Sequence, residues 1–191
     1  MKPSIFIGLP HRGNIRFDHV PNIIEWSKSY PIALGASTMY PIAGARNELV
    51  EFFLKTKCTH ILFLDSDTIM PRDGLPRLLS HEKDVISGIY ALRVGEQKIA
   101  VSACRATHSN PPYETIKIPQ ELSKVDAVGA GCLLIKRNVF NRIKKPFFNG
   151  TSEDFFFCEN CRKHNIDIWI DPTIKAKHYK EIPIELPDGK V

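Results

Sequence analysis

The segment Ile61-Leu62-Phe63-Leu64-Asp65-Ser66-Asp67 constrains this chain more than any other. A short unbroken apolar run, entered through Thr59-His60, reads as a strand buried in a sheet. It ends abruptly in two acids separated by one residue. In open α/β sheets, ligands gather at the carboxyl ends of strands. If the chain stays extended, alternation puts Asp65 and Asp67 on the same side. Two carboxylates so placed repel each other unless a cation or hydrogen-bond donors compensate. Mg²⁺ and Mn²⁺ take oxygen ligands and commonly bridge carboxylates to substrate phosphates. The plainer alternative is a strand-to-turn junction, where Asp is favoured for its own backbone chemistry.

The surrounding pattern supports a sheet of this kind. Residues 4 to 9 read as a first strand closed by Pro10. A weak helix over 20 to 29 has Ile23, Ile24 and Trp26 as its apolar positions, and 31 to 36 read as a second strand. Residues 45 to 55 carry the apolar face of a helix. A strand over 84 to 90 follows a short helix over 75 to 79. The prolines between Arg93 and Lys124 predict loops or short edge strands. Then come a strand over 132 to 135, a short helix over 138 to 143, a helix over 153 to 164 and a late strand ending before Asp171-Pro172. Strands alternating with helices predict an α/β fold, a mainly parallel central sheet flanked by helices. At 191 residues the chain suits a single domain. We read residues 1 to 180 as that domain and 181 to 191 as a C-terminal tail.

Charge and cysteine usage narrow the class. The net charge of +5 is spread along the chain, its densest cluster being Lys175, Lys177, His178 and Lys180. Scattered charge of this kind reads as a solvated surface, or as a weakly positive cleft for an anion such as a diphosphate. It lacks the dense stripe of a duplex-binding protein, so no nucleic-acid partner is expected. No apolar run approaches the about 20 residues of a membrane helix, and the first residues read as a strand rather than a signal peptide. Five cysteines without scaffold spacing read as reduced thiols of a cytoplasmic protein. Cys158-x-x-Cys161-x-x-His164 has no second ligand pair, so a structural zinc site is not expected.

Four further groups could carry chemistry. Glu153-Asp154 stand at a helix start, where acids favour the helix dipole; either could also serve as a general base over an acceptor hydroxyl. Gly129-Ala130-Gly131 precede a strand, as a turn or as a place where a ligand meets backbone. Arg46 is either an exposed helical arginine or a holder of phosphate or carboxylate. His178 is a surface residue or a metal ligand.

The order of these pieces resembles the type-A (GT-A, Rossmann-like) nucleotide-sugar glycosyltransferases, especially the large inverting family 2. The residues that carry the resemblance are Ile5 to Pro10, Ala45-Arg46-Asn47, Phe63-Leu64-Asp65-Ser66-Asp67, Gly129 to Arg137, Glu153-Asp154 and His178. It implies a metal-dependent enzyme that moves a sugar from a nucleotide-sugar donor, such as a UDP- or GDP-sugar, to a hydroxyl of a glycan or other acceptor. It further implies that Pro10, His11 and Arg12 line the nucleotide pocket with Asp65 and Ser66. Asp65, Asp67 and His178 serve Mn²⁺ or Mg²⁺, and Arg46 supports the acids or the diphosphate. Gly129, Ala130 and Gly131 line the donor sugar. Asp154 takes the acceptor proton, with Glu153 beside it. Residues 31 to 38 contain no acid to recognise uracil, so the donor base stays open. The short chain leaves room for acceptor-binding elements from a partner or from a second subunit in a homo-oligomer. Two rivals remain: a sugar nucleotidyltransferase, for which Pro10-His11-Arg12-Gly13-Asn14 is a poor phosphate loop, and a non-catalytic carbohydrate-binding module.

Overall fold

The computed structural model describes residues 2–94, 98–110 and 112–180; the expected tail, 181–191, lies outside them. The chain begins β1 (Ile5–Pro10), α1 (His19–Ser27), β2 (Ile32–Ser37), α2 (Ile42–Lys55), β3 (His60–Leu64), β4 (Thr68–Ile69), α3 (Gly74–Ser80) and β5 (Val85–Ile89). Short strands follow: β6 (Ala91–Val94), β7 (Lys98–Val101), β8 (Ala103–Ala106), β9 (Tyr113–Thr115), β10 (Ser123–Val125) and β11 (Ala127–Val128). The last elements are β12 (Cys132–Lys136), α4 (Val139–Arg142), α5 (Glu153–Lys163), β13 (Ile168–Lys175) and β14 (Lys177–His178).

Seven strands form the central sheet in the order β10-β13-β5-β12-β3-β1-β2. Pairings of β1 with β2 and β3, and of β5 with β13, are parallel; β12 runs antiparallel between β3 and β5, and β10 antiparallel to β13. The sheet is therefore mixed: three pairings are parallel and three antiparallel, and five of the seven strands run in one direction.

Alternation along the strands builds a core on each face. Phe6, Ile61 and Phe63 point to one face, where Leu49, Phe53, Phe140 and Phe157 from α2, α4 and α5 meet them. Ile5, Ile7, Leu62 and Leu64 point to the other, against Trp26 of α1 and Leu75 and Leu78 of α3. All of these side chains are buried. This is the two-sided cover that an apolar run such as residues 61 to 64 requires.

Three differences from the sequence expectation have physical reasons. Helix α2 starts at Ile42, three residues before the expected Ala45, because its first turn packs the small residues Ala43 and Ala45 into the core. Strand β13 does not stop before Asp171-Pro172 but continues to Lys175, with its register against β5 shifted between Ile170 and Lys175. Proline cannot donate to a ladder, and this irregularity is where a strand tolerates one. The stripe expected on α1 from Ile23, Ile24 and Trp26 is also rotated: the buried residues are His19, Asn22 and Trp26.

Candidate active site

The parallel strands β1, β2, β3 and β5 end on one edge of the sheet, and the motifs collect there. Asp65 to Asp67 follow β3. Because β12 runs antiparallel with Cys132 opposite Leu64, the Gly129 to Gly131 segment reaches the same edge, and Asp65 N–H donates to the Gly131 carbonyl at 3.2 Å. Helix α2 follows β2 and so starts at this edge, bringing Arg46 with it.

Arg46 is the centre of the acid cluster. Its guanidinium is 3% exposed and donates to Asp65 Oδ1 at 2.7 Å and to Glu153 Oε1 at 3.0 Å. The exposed helical arginine is thus not what forms. Burial opposes the charge, but Asp65 and then Glu153 outweigh it and raise the Arg46 pKa. Its Nη1 has no partner among the described residues. Glu153 is itself buried, so this acid is held from below by Arg46 rather than opened toward an acceptor.

Asp154 has a different environment. Burial, then the neighbouring Glu153, lift its carboxyl to about 6, against a smaller lowering by Arg46. Its Oδ1 accepts the Phe155 N–H at 2.8 Å. The loop that leads to α5 is held by Asn47, whose Oδ1 accepts the N–H groups of Phe147 and Phe148 while Nδ2 donates to the Phe148 carbonyl at 2.8 Å. The adjacent residues Arg46 and Asn47 therefore set one acid and the approach to the other.

Asp67 faces His178. The two-stranded pairing of β4 with β14 places His178 opposite Thr68 and brings its Nε2 to 3.5 Å from Asp67 Oδ2. Tyr179 N–H donates to the Asp67 carbonyl, and Arg16 stacks 3.9 Å over the Tyr179 ring. His178 Nδ1 lies 2.9 Å from the Ala91 carbonyl, which makes Nδ1 the donor. Nε2 then points a lone pair, or a proton, at the carboxylate. The Asp67 contact raises the His178 pKa over the opposing effect of burial. For Asp67, burial pushes the pKa up, but the bond and charge of His178 outweigh it and the net shift is downward.

The expected three-residue metal set is thus divided. Asp67 and His178 meet, whereas Asp65 gives one oxygen to Arg46. Among the described residues no three His, Cys, Asp or Glu side chains converge as one metal group. Cys158, Cys161 and the other three cysteines are free and buried, and His164 Nδ1 lies 2.8 Å from the Asn160 carbonyl.

The glycines have a packing cause. Gly129 and Gly131 are buried, and a Cβ on Gly129 would lie 2.1 Å from the Tyr90 hydroxyl. A Cβ on Gly131 would lie 3.0 Å from the same ring and 3.1 Å from Thr68 Oγ1. The space beside them is filled by Tyr90, whose hydroxyl accepts the Gly131 N–H and whose ring packs edge-on against His178. Tyr90 thus accounts for the absence of a side chain at Gly129 and Gly131. Of the first loop, Pro10 is buried as the last residue paired with β2, and Arg12 is exposed. His11 donates its N–H to the Ser37 carbonyl.

One functional row was not read from the sequence. His19, Asn22 and Trp26 lie on one face of α1, at spacings of three and four residues. Asn22 Nδ2 donates to the Met70 carbonyl and Trp26 Nε1 to the Arg72 carbonyl, each at 2.6 Å. His19 is buried in the same row, burial lowering its pKa, and its Nε2 has no hydrogen-bond partner among the described residues; just before the helix, Arg16 N–H donates to the Ser66 carbonyl at 3.2 Å. The loop carrying the acids leaves carbonyls without sheet partners, and α1 supplies the donors. The signal was present as polar residues at helical spacing, but it lay under the apolar pattern of Ile23 and Ile24.

Comparison with known proteins places the fold. No protein family and no curated protein matches the sequence. Among solved structures, A197 from STIV is similar over 93% of this chain and 86% of its own, with a TM-score of 0.70 and 20% identity. GalNAc-T7, solved with UDP, GalNAc and Mn²⁺, is similar over 93% of this chain with a TM-score of 0.59 and 9% identity. The chain spans 44% of the GalNAc-T7 length, so the likeness is to part of that protein. The chain shares its mixed α/β fold with both.

Proposed function

We propose that residues 1 to 180 form one catalytic domain, a metal-dependent glycosyltransferase that uses a nucleotide-sugar donor. The observation that carries this reading is the apposition of Asp67 and His178 at the carboxyl edge of the sheet. Two groups that both accept when His178 is neutral face each other, and a divalent cation between them satisfies both. One carboxylate with one imidazole suits an ion that takes its remaining ligands from phosphates and water. That a structure of this fold, GalNAc-T7, is described with UDP, GalNAc and Mn²⁺ agrees with the reading.

Asp67 and His178 would hold Mn²⁺ or Mg²⁺, which supplies Lewis-acid stabilisation of a leaving nucleoside diphosphate. Arg46 positions Asp65 toward the donor rather than gripping a phosphate, since two of its donors already bind carboxylates. The exposed Arg12 and the neighbouring His11 line the nucleotide side. Asp154 takes the proton from the acceptor hydroxyl. A carboxyl at about 6 is ionised at neutral pH yet more basic than an ordinary aspartate, which suits a general base. Glu153 anchors the start of α5 through Arg46, so that Asp154 alone faces the reaction. A base on the acceptor side favours direct displacement with inversion.

The test is incubation with a panel of nucleotide-sugars and Mn²⁺, reading release of the nucleoside diphosphate. Release from at least one donor is expected. Release of pyrophosphate from a nucleoside triphosphate and a sugar phosphate, without diphosphate release, would assign the nucleotidyltransferase reaction instead.

A further inference from the structure

The His178 side chain is partly open to solvent, and three neighbours hold its ring among the described residues. Asp67 faces Nε2 and the Ala91 carbonyl faces Nδ1. The third neighbour is Tyr90, whose ring centre lies 5.4 Å from that of His178 at 69°, edge to face. Aromatic pairs favour that arrangement over a parallel sandwich. Three consecutive residues thus grip the segment that carries His178. The Ile89 carbonyl accepts the Ala176 N–H at 2.8 Å, Tyr90 packs on the imidazole, and the Ala91 carbonyl accepts from Nδ1 at 2.9 Å.

Tyr90 is itself buried and tied at both ends. Its N–H donates to Ser102 Oγ and its carbonyl accepts the Ser102 N–H, both at 3.0 Å. Its hydroxyl accepts the Gly131 N–H at 3.2 Å. Ser102 is buried, and its carbonyl accepts the Gly129 N–H at 2.9 Å. The glycines leave the room that the phenol fills, since a Cβ on Gly129 would lie 2.1 Å from the hydroxyl. A side chain enclosed in this way has little freedom to change rotamer, so it can serve as a fixed wall for its neighbour.

We propose that Tyr90 is the positioning residue of His178, holding the imidazole so that the Nε2 lone pair is presented beside the Asp67 carboxylate to a divalent cation. The use of this support in the enzyme rests on the cation reading of Asp67 and His178. Two features divide the task. The Tyr90 ring sets the plane of the imidazole, and the Ala91 carbonyl decides which edge of it faces the backbone. A carbonyl only accepts, so a neutral imidazole keeps its proton on Nδ1 and its lone pair on Nε2. A half-turn of the ring would exchange Nδ1 with Cδ2 and Nε2 with Cε1, leaving carbon toward Asp67. Outer partners of this kind orient a metal-binding histidine and raise its affinity for the ion. Because the same phenol accepts from Gly131, one side chain also joins the cation side of the sheet edge to the glycine segment before β12.

The test compares Tyr90→Phe, which keeps the ring, with Tyr90→Leu, which removes it. Both lose the acceptor for the Gly131 N–H, so both should melt below the wild type. Mn²⁺ binding is read from the free-ion electron spin resonance signal and from paramagnetic broadening of the His178 ring resonances. Tyr90→Leu should weaken it by about 10-fold or more, while Tyr90→Phe stays close to the wild type. A residue that merely stabilised the fold would leave the Mn²⁺ affinity of both folded variants unchanged. The tautomer is read without metal, from nitrogen-15 spectra at about pH 9, where an imidazole is neutral. In the wild type and in Tyr90→Phe the His178 proton should reside on Nδ1. A wild-type proton on Nε2 overturns the proposal, and this readout decides even where Tyr90→Leu fails to fold. Equal losses of Mn²⁺ affinity in the two variants, or none in folded Tyr90→Leu, also overturn it and leave the cation reading standing. A wild type that binds no Mn²⁺ overturns both.

Discussion

Replacing Asp154 by Asn should make the protein more stable and less active at once. In the folded chain, burial and the adjacent Glu153 lift the Asp154 carboxyl from its ordinary 3.8 to about 6. Between those values the native state holds a proton that the unfolded chain has released. Stability therefore falls as pH rises from about 4 to about 6 and stays lower above. A shift of about 2 units corresponds to about 3 kcal/mol at neutral pH. Asn is neutral at every pH and can keep the acceptor for the Phe155 N–H, so Asp154→Asn should recover about 1–3 kcal/mol. For a chain of this size that is a rise in Tm of about 2–10 °C. Melts of both proteins near pH 4 and near pH 7.5 check this. The gap should be present at the higher pH and nearly vanish at the lower. An equal gap at both, or a less stable variant near pH 7.5, would refute the claim that Asp154 carries a disfavoured buried charge. Turnover by the same variant should fall by about 100-fold or more if that charge is the base.

Arg46→Met strips the partner from two acids and should cost about 3–5 kcal/mol, seen as a large fall in the urea midpoint; a near-neutral effect would mean that the Asp65–Arg46–Glu153 bridge does not hold the site together. Gly129→Ala drives a methyl into the Tyr90 hydroxyl and should cost about 1–3 kcal/mol. Tyr90→Phe should relieve part of this, and a double-mutant cycle with no coupling would contradict the packing cause. Asn22→Leu leaves the buried Met70 carbonyl without its donor and should cost about 1–3 kcal/mol by denaturant melt, with faster amide exchange in residues 65 to 72 as the signature of the loosened loop.

The sequence disclosed the frame of this molecule because strong periodicity and short apolar runs do not depend on distant partners. The run at residues 61 to 64 had to be a covered strand, and the acids after it had to stand at the sheet edge. What it concealed were choices made by tertiary contact. Arg46 looked free on a helix because Asp65 and Glu153 approach it from 19 and 107 residues away. Gly129 and Gly131 read as a turn or a ligand approach because Tyr90, which fills the space beside them, lies between β5 and β6, 41 residues before Gly131. The polar row of α1 makes sense only beside a loop short of hydrogen-bond donors. Pairing of Asp67 with His178 could be anticipated from motif order, but its geometry needed the β4–β14 pairing. The direction of β12, antiparallel among parallel neighbours, has no local signature at all.

The most direct test of the central claim is calorimetric binding of nucleoside diphosphates, UDP and GDP first, with and without Mn²⁺. The account predicts that the wild type binds at least one of them only when Mn²⁺ is present. Asp67→Ala should lose this metal-dependent binding while keeping its fold, and Asp154→Asn should retain it. Binding that ignores the metal, or metal-dependent affinity left unchanged by Asp67→Ala, would contradict the assignment of Asp67 and His178 to a cation that serves a nucleotide-sugar donor.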